Sequence, residues 1–357
     1  MYDGRLRKLE LKLAESGLDA FLISNPHNVY YLTGFYGALG GDQFFLLVAP
    51  GEAVLPVDFR YLEEAMEEAS VRVVEWKERT FNELVLLLPE GTRRLGFEAD
   101  ALTVDQHRRL EETAEVELVP TSRVVGSLRL HKDQVEIERI SMAAALADAA
   151  FEHAVGILEP GLTERDVASE IECFMRRRGA DKPSFETIVA SGSRSAIPHA
   201  CSTGKPIAVG DFVKIDLGAS IAGYSSDMTR TVVVGEAAAE QRKIYKTVLT
   251  AQAAALELIG PGVSCREVDA AARSIIDGAG YAGRFAHGLG HGVGLEVHES
   301  PTLSPKSDEV LEPGVVVTIE PGVYVAGLGG VRIEDMVLVT GDGKEILSHA
   351  PKELIQI

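Results

Sequence analysis

The sequence predicts an α+β protein in two parts: an α/β domain over residues 1–123 and, past a linker at 124–132, a duplicated domain of helices and paired strands over 133–357. Three observations lead there. Short apolar runs alternate with helical periodicity through the first part, the pattern of a sheet covered by helices. A turn-and-cap motif occurs twice in the second part, at 159–167 and 260–268. Each copy then runs into paired strand-like segments that hold two carboxylates.

The first part reads in order as follows. Residues 4–17 put Leu6, Leu9 and Leu13 on one side of a helix that stops at Gly17. Residues 20–23 are a short apolar strand, closed by the turn residues Ser24-Asn25-Pro26. Strands are expected at 29–32, 43–49 and 53–57, the last two separated by the turn Pro50-Gly51-Glu52. Helices at 60–70, 80–88 and 104–113 alternate with strands at 71–75 and 94–97, which implies a mixed sheet. No cluster of catalytic residue types falls in this part.

From Asp133 a helical pattern runs to about Leu158. The first motif copy, Glu159-Pro160-Gly161-Leu162-Thr163-Glu164-Arg165-Asp166-Val167, matches Gly260-Pro261-Gly262-Val263-Ser264-Cys265-Arg266-Glu267-Val268, and Gly179 falls on Gly280 at the same offset. A chance Pro-Gly match is the plainer explanation, but helical patterns precede and follow both copies, which favours a true repeat. Each copy reads as a Pro-Gly turn and then a capping box, weaker in Thr163 with Asp166 and full in Ser264 with Glu267.

The strands that follow carry the chemistry. Segments 212–216 and 226–234 hold Asp216 and Asp227; segments 315–319 and 331–339, joined through 323–330, bring in Glu320 and Glu334. Hairpin-length spacing sets each pair side by side on neighbouring strands. Four carboxylates in apolar, β-branched runs are costly to bury unless they are paired or bind a cation. Between the two pairs lies 287–299, His-Gly-Leu-Gly-His-Gly-Val-Gly-Leu-Glu-Val-His-Glu, which packs His287, His291 and His298, three of the chain's nine histidines, among glycines. A Gly-rich loop with incidental histidines would explain one of them, not three. Imidazole ligates divalent transition metals and carries protons near neutral pH. Four carboxylates with His291 suit two divalent ions.

Bulk properties exclude other classes. A net charge of −19 with no basic cluster argues against nucleic acid. No apolar run of about eighteen residues exists, so no membrane span is expected, and the start lacks a signal-peptide apolar core. Cys173, Cys201 and Cys265 are too few and too scattered for a disulfide framework or a thiolate zinc site. The compartment these features suggest is cytoplasmic.

These residues resemble the pita-bread metallopeptidases: methionine aminopeptidase, aminopeptidase P and prolidase. Their ligand order of Asp, Asp, His, Glu, Glu is matched by Asp216, Asp227, His291, Glu320 and Glu334. The run Gly329-Gly330-Val331-Arg332-Ile333-Glu334-Asp335, and His287 four residues before His291, are similar to prolidase and aminopeptidase P in particular. Asn25-Pro26-His27-Asn28-Val29-Tyr30-Tyr31-Leu32-Thr33-Gly34 and Val57-Asp58-Phe59-Arg60-Tyr61 resemble the creatinase-type N-terminal domain, which simple methionine aminopeptidases lack. The resemblance covers residues 130–357 well and the rest more loosely. It implies a pita-bread catalytic domain with pseudo-two-fold halves behind a creatinase-like N-terminal domain.

The activity implied is hydrolysis of Xaa-Pro bonds at the N-termini of dipeptides and short peptides, by a hydroxide held between two metal ions. Manganese is the family-typical metal, with cobalt or zinc able to use the same ligands. By analogy Asp216 and Glu334 span both ions, Asp227 binds one, and His291 and Glu320 bind the other. Glu320 would also accept the water's proton, His298 would donate to the oxyanion, and His199, in Pro198-His199-Ala200, would touch the substrate from the opposite wall. His287 would lie near the proline. Arg332 would steady the acids or touch substrate; its plainer role is an ion pair with Asp335. Tyr324 and Phe185 are ordinary core aromatics by type and stay outside the expected site. The family also implies a homodimer. Creatinase, a metal-free relative, and non-catalytic pita-bread modules are the alternatives, and the intact ligand set argues against both. Some prolidases of this kind carry arginine four residues after the oxyanion histidine; here that position is Thr302, in His298-Glu299-Ser300-Pro301-Thr302. A pocket open to a residue beyond proline is therefore expected, unless another arginine, such as Arg194 or one from a partner's N-terminal domain, supplies the clamp.

Overall fold

The computed structural model describes all 357 residues, which form two compact units, Met1–Arg129 and Leu130–Ile357. The boundary lies inside the stretch expected as a linker. That stretch is not an extended spacer, since Gly126–Arg129 make a short helix with Arg129 buried.

The first unit holds one six-stranded sheet. Its strands are β1 Ala20–Ile23, β2 Leu46–Ala49, β3 Glu52–Val57, β4 Arg72–Glu75, β5 Arg94–Glu98 and β6 Glu117–Thr121, in the order β4-β3-β2-β1-β5-β6. β1 runs antiparallel to β2 and parallel to β5, so the sheet is mixed. Two elements differ from the sequence reading. Residues 29–32 are helical, within Pro26–Thr33. Asn25 caps that helix by accepting from the N–H groups of His27 and Asn28 (2.9 and 3.1 Å), Pro26 fits its first turn, and Gly34 closes it at φ +81°. The cap signals outweigh the β-like composition of Val29, Tyr30 and Tyr31. β6, not expected, is an edge strand with no fully buried residue and Pro120 within it, so it lacks the apolar run that marks the central strands.

The second unit is built twice over. Helices Gln134–Ile157 and Glu164–Arg177 pack on the first half, and Ala239–Leu258 and Cys265–Ile276 on the second. Each half has its own core. Phe151, Ala154, Ile171 and Met175 meet Val213, Ile215 and Leu217 in one; Val248, Ala251, Val268 and Ile276 meet Val317, Ile319 and Val337 in the other. Gln134–Ile157 is long and apolar enough to cross a membrane by length and composition. Its apolar side nonetheless lies in the first core, and Glu136 and Asp148 are buried along it, so it is a core helix.

The repeat is visible in the backbone. Gly161 and Gly262 both take positive φ (+102° and +84°) at the Pro-Gly turns. Gly161 N–H donates to the Ile207 carbonyl at 2.9 Å, and Gly262 N–H to that of Leu311 at 2.8 Å. Thr163 bridges to Pro206 as Ser264 bridges to Val310. The caps, however, reverse the expectation. Thr163 and Asp166 form a complete box, whereas Ser264 makes no side-chain cap bond. There the Glu267 N–H already donates to the Ser264 carbonyl at 3.0 Å, which leaves the hydroxyl without its usual donor.

The first half's strands are β7 Lys182–Pro183, β8 Ile188–Ser191, β9 Phe212–Leu217, β10 Ala219–Ile221, β11 Tyr224–Ser225 and β12 Met228–Val233; β9 lies between β8 and β12. The second half's are β13 Gly290–Gly292, β14 Glu299–Leu303, β15 Val316–Ile319, β16 Gly322–Val325, β17 Gly329–Arg332, β18 Asp335–Val339 and β19 Lys344–Ile346. β15 pairs antiparallel with β18, as β9 does with β12. The expected simple connection through 323–330 is instead a hairpin of its own, β16 with β17.

Candidate active site

The four acids emerge from equivalent strand ends. Asp216 stands near the end of β9, six residues after Gly210, and Glu320 just beyond β15, six residues after Gly314; both glycines have positive φ. On β12 and β9, Met228 faces Leu217 and Thr229 faces Asp216, so Asp227 is a diagonal neighbour of Asp216 on one face. Ile319 faces Asp335, so Glu320 and Glu334 occupy the next rung, opposite each other. All four side chains are at least half buried.

His291 joins them from the middle of β13. Side chains on Gly290 and Gly292 would collide with the carbonyls of Thr318 and Ser300, so the flanking glycines let β13 press between its neighbours. The His291 Nδ1–H donates to the Gly292 carbonyl at 3.0 Å, which leaves the Nε2 lone pair free. Nε2 lies 3.4 Å from Glu320 Oε1 and 3.5 Å from Asp227 Oδ2. Donor atoms gather in three overlapping groups, each within 4.8 Å: Asp216, Asp227 and Glu334; His291, Glu320 and Glu334; and Asp227, His291 and His298.

Electrostatics fit the same set to cations. Burial, then the neighbouring carboxylates, raise Asp227 and Glu320 well above the ordinary carboxylate range, and burial with Asp216 pushes Glu334 up to about 7. Burial and the nearby His298 push His291 down to about 4, so its ring is neutral at neutral pH and able to ligate a metal. Without a cation, buried carboxylates this close hold protons; divalent ions resolve the repulsion.

Arg332, on β17, is buried beside this cluster. It pairs with Asp216 Oδ2 and donates through Nε to Thr229 Oγ1 (2.8 Å) and through Nη1 to Tyr324 Oη (3.1 Å). Asp335 is not its partner: that carboxylate is taken by Arg230, Lys352 and Gln252, each at 2.7 Å. Thr229 in turn donates to Glu334 Oε2 at 2.7 Å.

A cavity of about 430 Å³ opens above the acids, lined among others by His199, His287, His298, Phe185, Ile188 and Thr302. His298 is exposed on it, its ring centroid 4.2 Å from that of His291, and burial with His199 lowers its pKa. Lys132 Nζ pairs with Glu299 at 2.8 Å and so steadies the backbone next to His298. His287 is satisfied internally: Nδ1–H donates to the Gly288 carbonyl (2.7 Å) and Nε2 accepts from Tyr324 Oη (2.9 Å). Burial and Arg332 push it down to about 3, so a neutral ring faces the cavity.

Sequence reasoning missed Lys214 and Thr229 and set aside Tyr324 and Phe185. Thr229 and Lys214 each lie two residues from a predicted ligand, and strand alternation puts them on the ligand's face; that signal was available. Tyr324 had none, because its role depends on the unforeseen β16–β17 hairpin.

Residues 138–341 match the pattern of metallopeptidase family M24, and residues 5–131 that of the creatinase/prolidase N-terminal domain. The chain belongs to metallopeptidase family M24. It is 43% identical over 352 residues to a Pyrococcus furiosus protein called Xaa-Pro dipeptidase, covering 98% of this chain and 99% of that one. Among solved structures it resembles an Xaa-Pro dipeptidase from Bacillus anthracis, with TM-score 0.96, 42% identity and full coverage of both chains. It also resembles an X-Pro aminopeptidase from Thermotoga maritima, with TM-score 0.89 and 35% identity, covering 96% of this chain and 98% of that one. The duplicated unit is thus an M24 pita-bread domain and the protein a metallo-exopeptidase.

Proposed function

We propose that the chain hydrolyses the Xaa-Pro bond at the N-terminus of dipeptides and short peptides with the help of two divalent metal ions. The observation that carries this is the set of overlapping donor groups, in which the carboxylate of Glu334 joins Asp216 and Asp227 to His291 and Glu320, as Asp227 and His291 also join neighbouring groups. A carboxylate shared in this way suits a pair of ions. The relatives called Xaa-Pro dipeptidase and X-Pro aminopeptidase support the substrate class.

Asp227 would hold one ion, His291 and Glu320 the other, with Asp216 and Glu334 between them. Manganese suits this oxygen-rich set, and cobalt or zinc can use the same donors. Ions held by these residues would supply a nucleophile at neutral pH and polarise the scissile carbonyl. Glu320 would accept a proton from the attacking water and return it to the leaving nitrogen. His298 donates to the carbonyl oxygen as it gains charge. His199 contacts the substrate from the opposite wall. The neutral ring of His287, with both nitrogens engaged, offers proline an apolar surface, and Phe185 and Ile188 extend the apolar lining. Arg332 orients Asp216.

The same wall bears on substrate length. Arg332 is its one arginine, already held by Asp216, and no lysine lines it; Arg194 is bound to Glu164 and the Cys201 carbonyl instead. Within one protomer a dipeptide's free carboxylate therefore meets no dedicated cation, and Thr302 cannot supply one, which leaves an arginine of a partner's N-terminal domain as the remaining source. Xaa-Pro-Xaa peptides are expected to be cleaved about as well as Xaa-Pro dipeptides, with Thr302→Arg tilting preference towards dipeptides. Comparing kcat/KM for Ala-Pro and Ala-Pro-Ala tests this: negligible tripeptide cleavage would restore a strict dipeptidase. A homodimer and a cytoplasmic location complete the reading, and light scattering on the purified chain checks the first.

A further inference from the structure

We infer that Lys214 is a positioning residue for His199, holding the loop that presents this imidazole to the substrate. The inference rests on the role proposed above for His199 in Xaa-Pro cleavage.

Lys214 sits on β9, two residues before Asp216, with no exposed surface. Its Nζ donates to the carbonyls of Ile197 (2.7 Å) and Pro198 (2.8 Å), the two residues immediately before His199. Arg332 Nη1 reaches the same Pro198 carbonyl at 3.3 Å, and the Tyr324 ring centroid lies 5.4 Å from Nζ. The backbone leading to His199 is thus tied to the strand that carries Asp216 and to the arginine that pairs with Asp216. Both ends of the loop are fixed separately. The buried Glu164 carboxylate accepts from the Ser191 N–H (2.8 Å), from Arg194 Nε (3.1 and 3.2 Å) and from the Thr203 N–H (3.1 Å) and hydroxyl (2.7 Å). Glu164 closes the loop at its base; Lys214 sets the height of its crown. The His199 imidazole is exposed and takes no part in these bonds.

A buried lysine is an expensive way to satisfy two carbonyls that could otherwise face water. What distinguishes this arrangement from plain packing is where the bonds end: at the peptide units that aim His199 across the cavity, from a strand whose next inward residue is a predicted metal ligand. Removing the amine takes away the bond to the Ile197 carbonyl and leaves Pro198 only the longer one from Arg332, so the loop loosens, while β9 and its pairing with β8 and β12 stay in place. The bonds need N–H groups, which amine and ammonium both have.

A double-mutant cycle tests this on the metal-loaded chain, with Lys214→Met, His199→Ala and the double variant assayed on Ala-Pro. If Lys214 acts through His199, Lys214→Met lowers kcat by about tenfold or more with KM changed less than about twofold, and adds less than about twofold once His199 is alanine. Equal losses in both backgrounds, or an unchanged kcat in a folded variant with full metal content, would overturn it. Should Lys214→Met not fold, Lys214→Gln, one bond too short to reach both carbonyls, should lower kcat less than about tenfold but measurably, and the same non-additivity with His199→Ala is required of it. Failure of the Xaa-Pro reading would appear first in the unmutated chain; failure of this inference appears only in the variants.

Discussion

The two halves of the catalytic unit begin alike and end differently. Both open with a Pro-Gly turn, a helix and a glycine at positive φ, and both place an acid six residues further on at a strand end, Asp216 in one and Glu320 in the other. After that the first half closes through the short β10–β11 turn. The second adds β13 and β14 before its acid pair and the β16–β17 hairpin within it. The shared elements deliver the four carboxylates. The added elements deliver His291, His298, Tyr324 and Arg332. On the proposed function, duplication supplies charge for cations, and the departures from symmetry supply the groups that orient them and meet the substrate.

That contrast can be broken from either side. The largest effect is expected in the shared part. Asp227→Ala removes a proposed ligand that belongs to the first half, and should abolish turnover and lower metal content while circular dichroism shows the fold intact. Retained activity with full metal loading would mean the symmetric acids are not jointly required. The next effect belongs to the added part. His298→Ala should lower kcat by about 10²–10³, or about 2.7–4 kcal/mol in the barrier, with little change in KM. A raised KM with unchanged kcat would make His298 a binding residue only.

The smallest effect separates the halves at their opening helices. Thr163→Ala should destabilise the chain by about 1 kcal/mol, because Thr163 and Asp166 cap each other, whereas Ser264→Ala should be near neutral. Denaturant midpoints for the two variants decide the matter, and equal losses would mean that Ser264 caps its helix in solution.

Much of this was legible beforehand. The acids could be picked out because carboxylates in apolar strand runs conflict with burial, and such conflicts mark sites; His291 stood out as one of three histidines packed among glycines, in the place of the family's ligand order. The repeat was readable from its turns, since Pro-Gly geometry is local. Caps were harder: Ser264 and Glu267 have the better signature, but a backbone bond to the Ser264 carbonyl took the N–H that the hydroxyl needed. Residues 29–32 read as a strand because aromatic and β-branched side chains suit one, while their helix is fixed at its ends by Asn25 and Gly34. The web of Arg332, Tyr324, Thr229 and Lys214 was out of reach as a whole. Each member is unremarkable by type, and their meeting depends on how a hairpin and a loop fold over β9.

The central claim is that Glu334 is shared by two ions, and manganese titration of the metal-stripped chain, with proton release followed calorimetrically across pH, tests it most directly. Glu334 is raised to about 7, and Asp227 and Glu320 lie well above their ordinary range, so below about pH 7 metal must displace protons from them; His291, lowered to about 4, contributes none near neutrality. The account predicts two ions per chain, affinity that rises as pH increases through about 7, and protons released on binding. One ion per chain, or affinity independent of pH with no proton release, would contradict it.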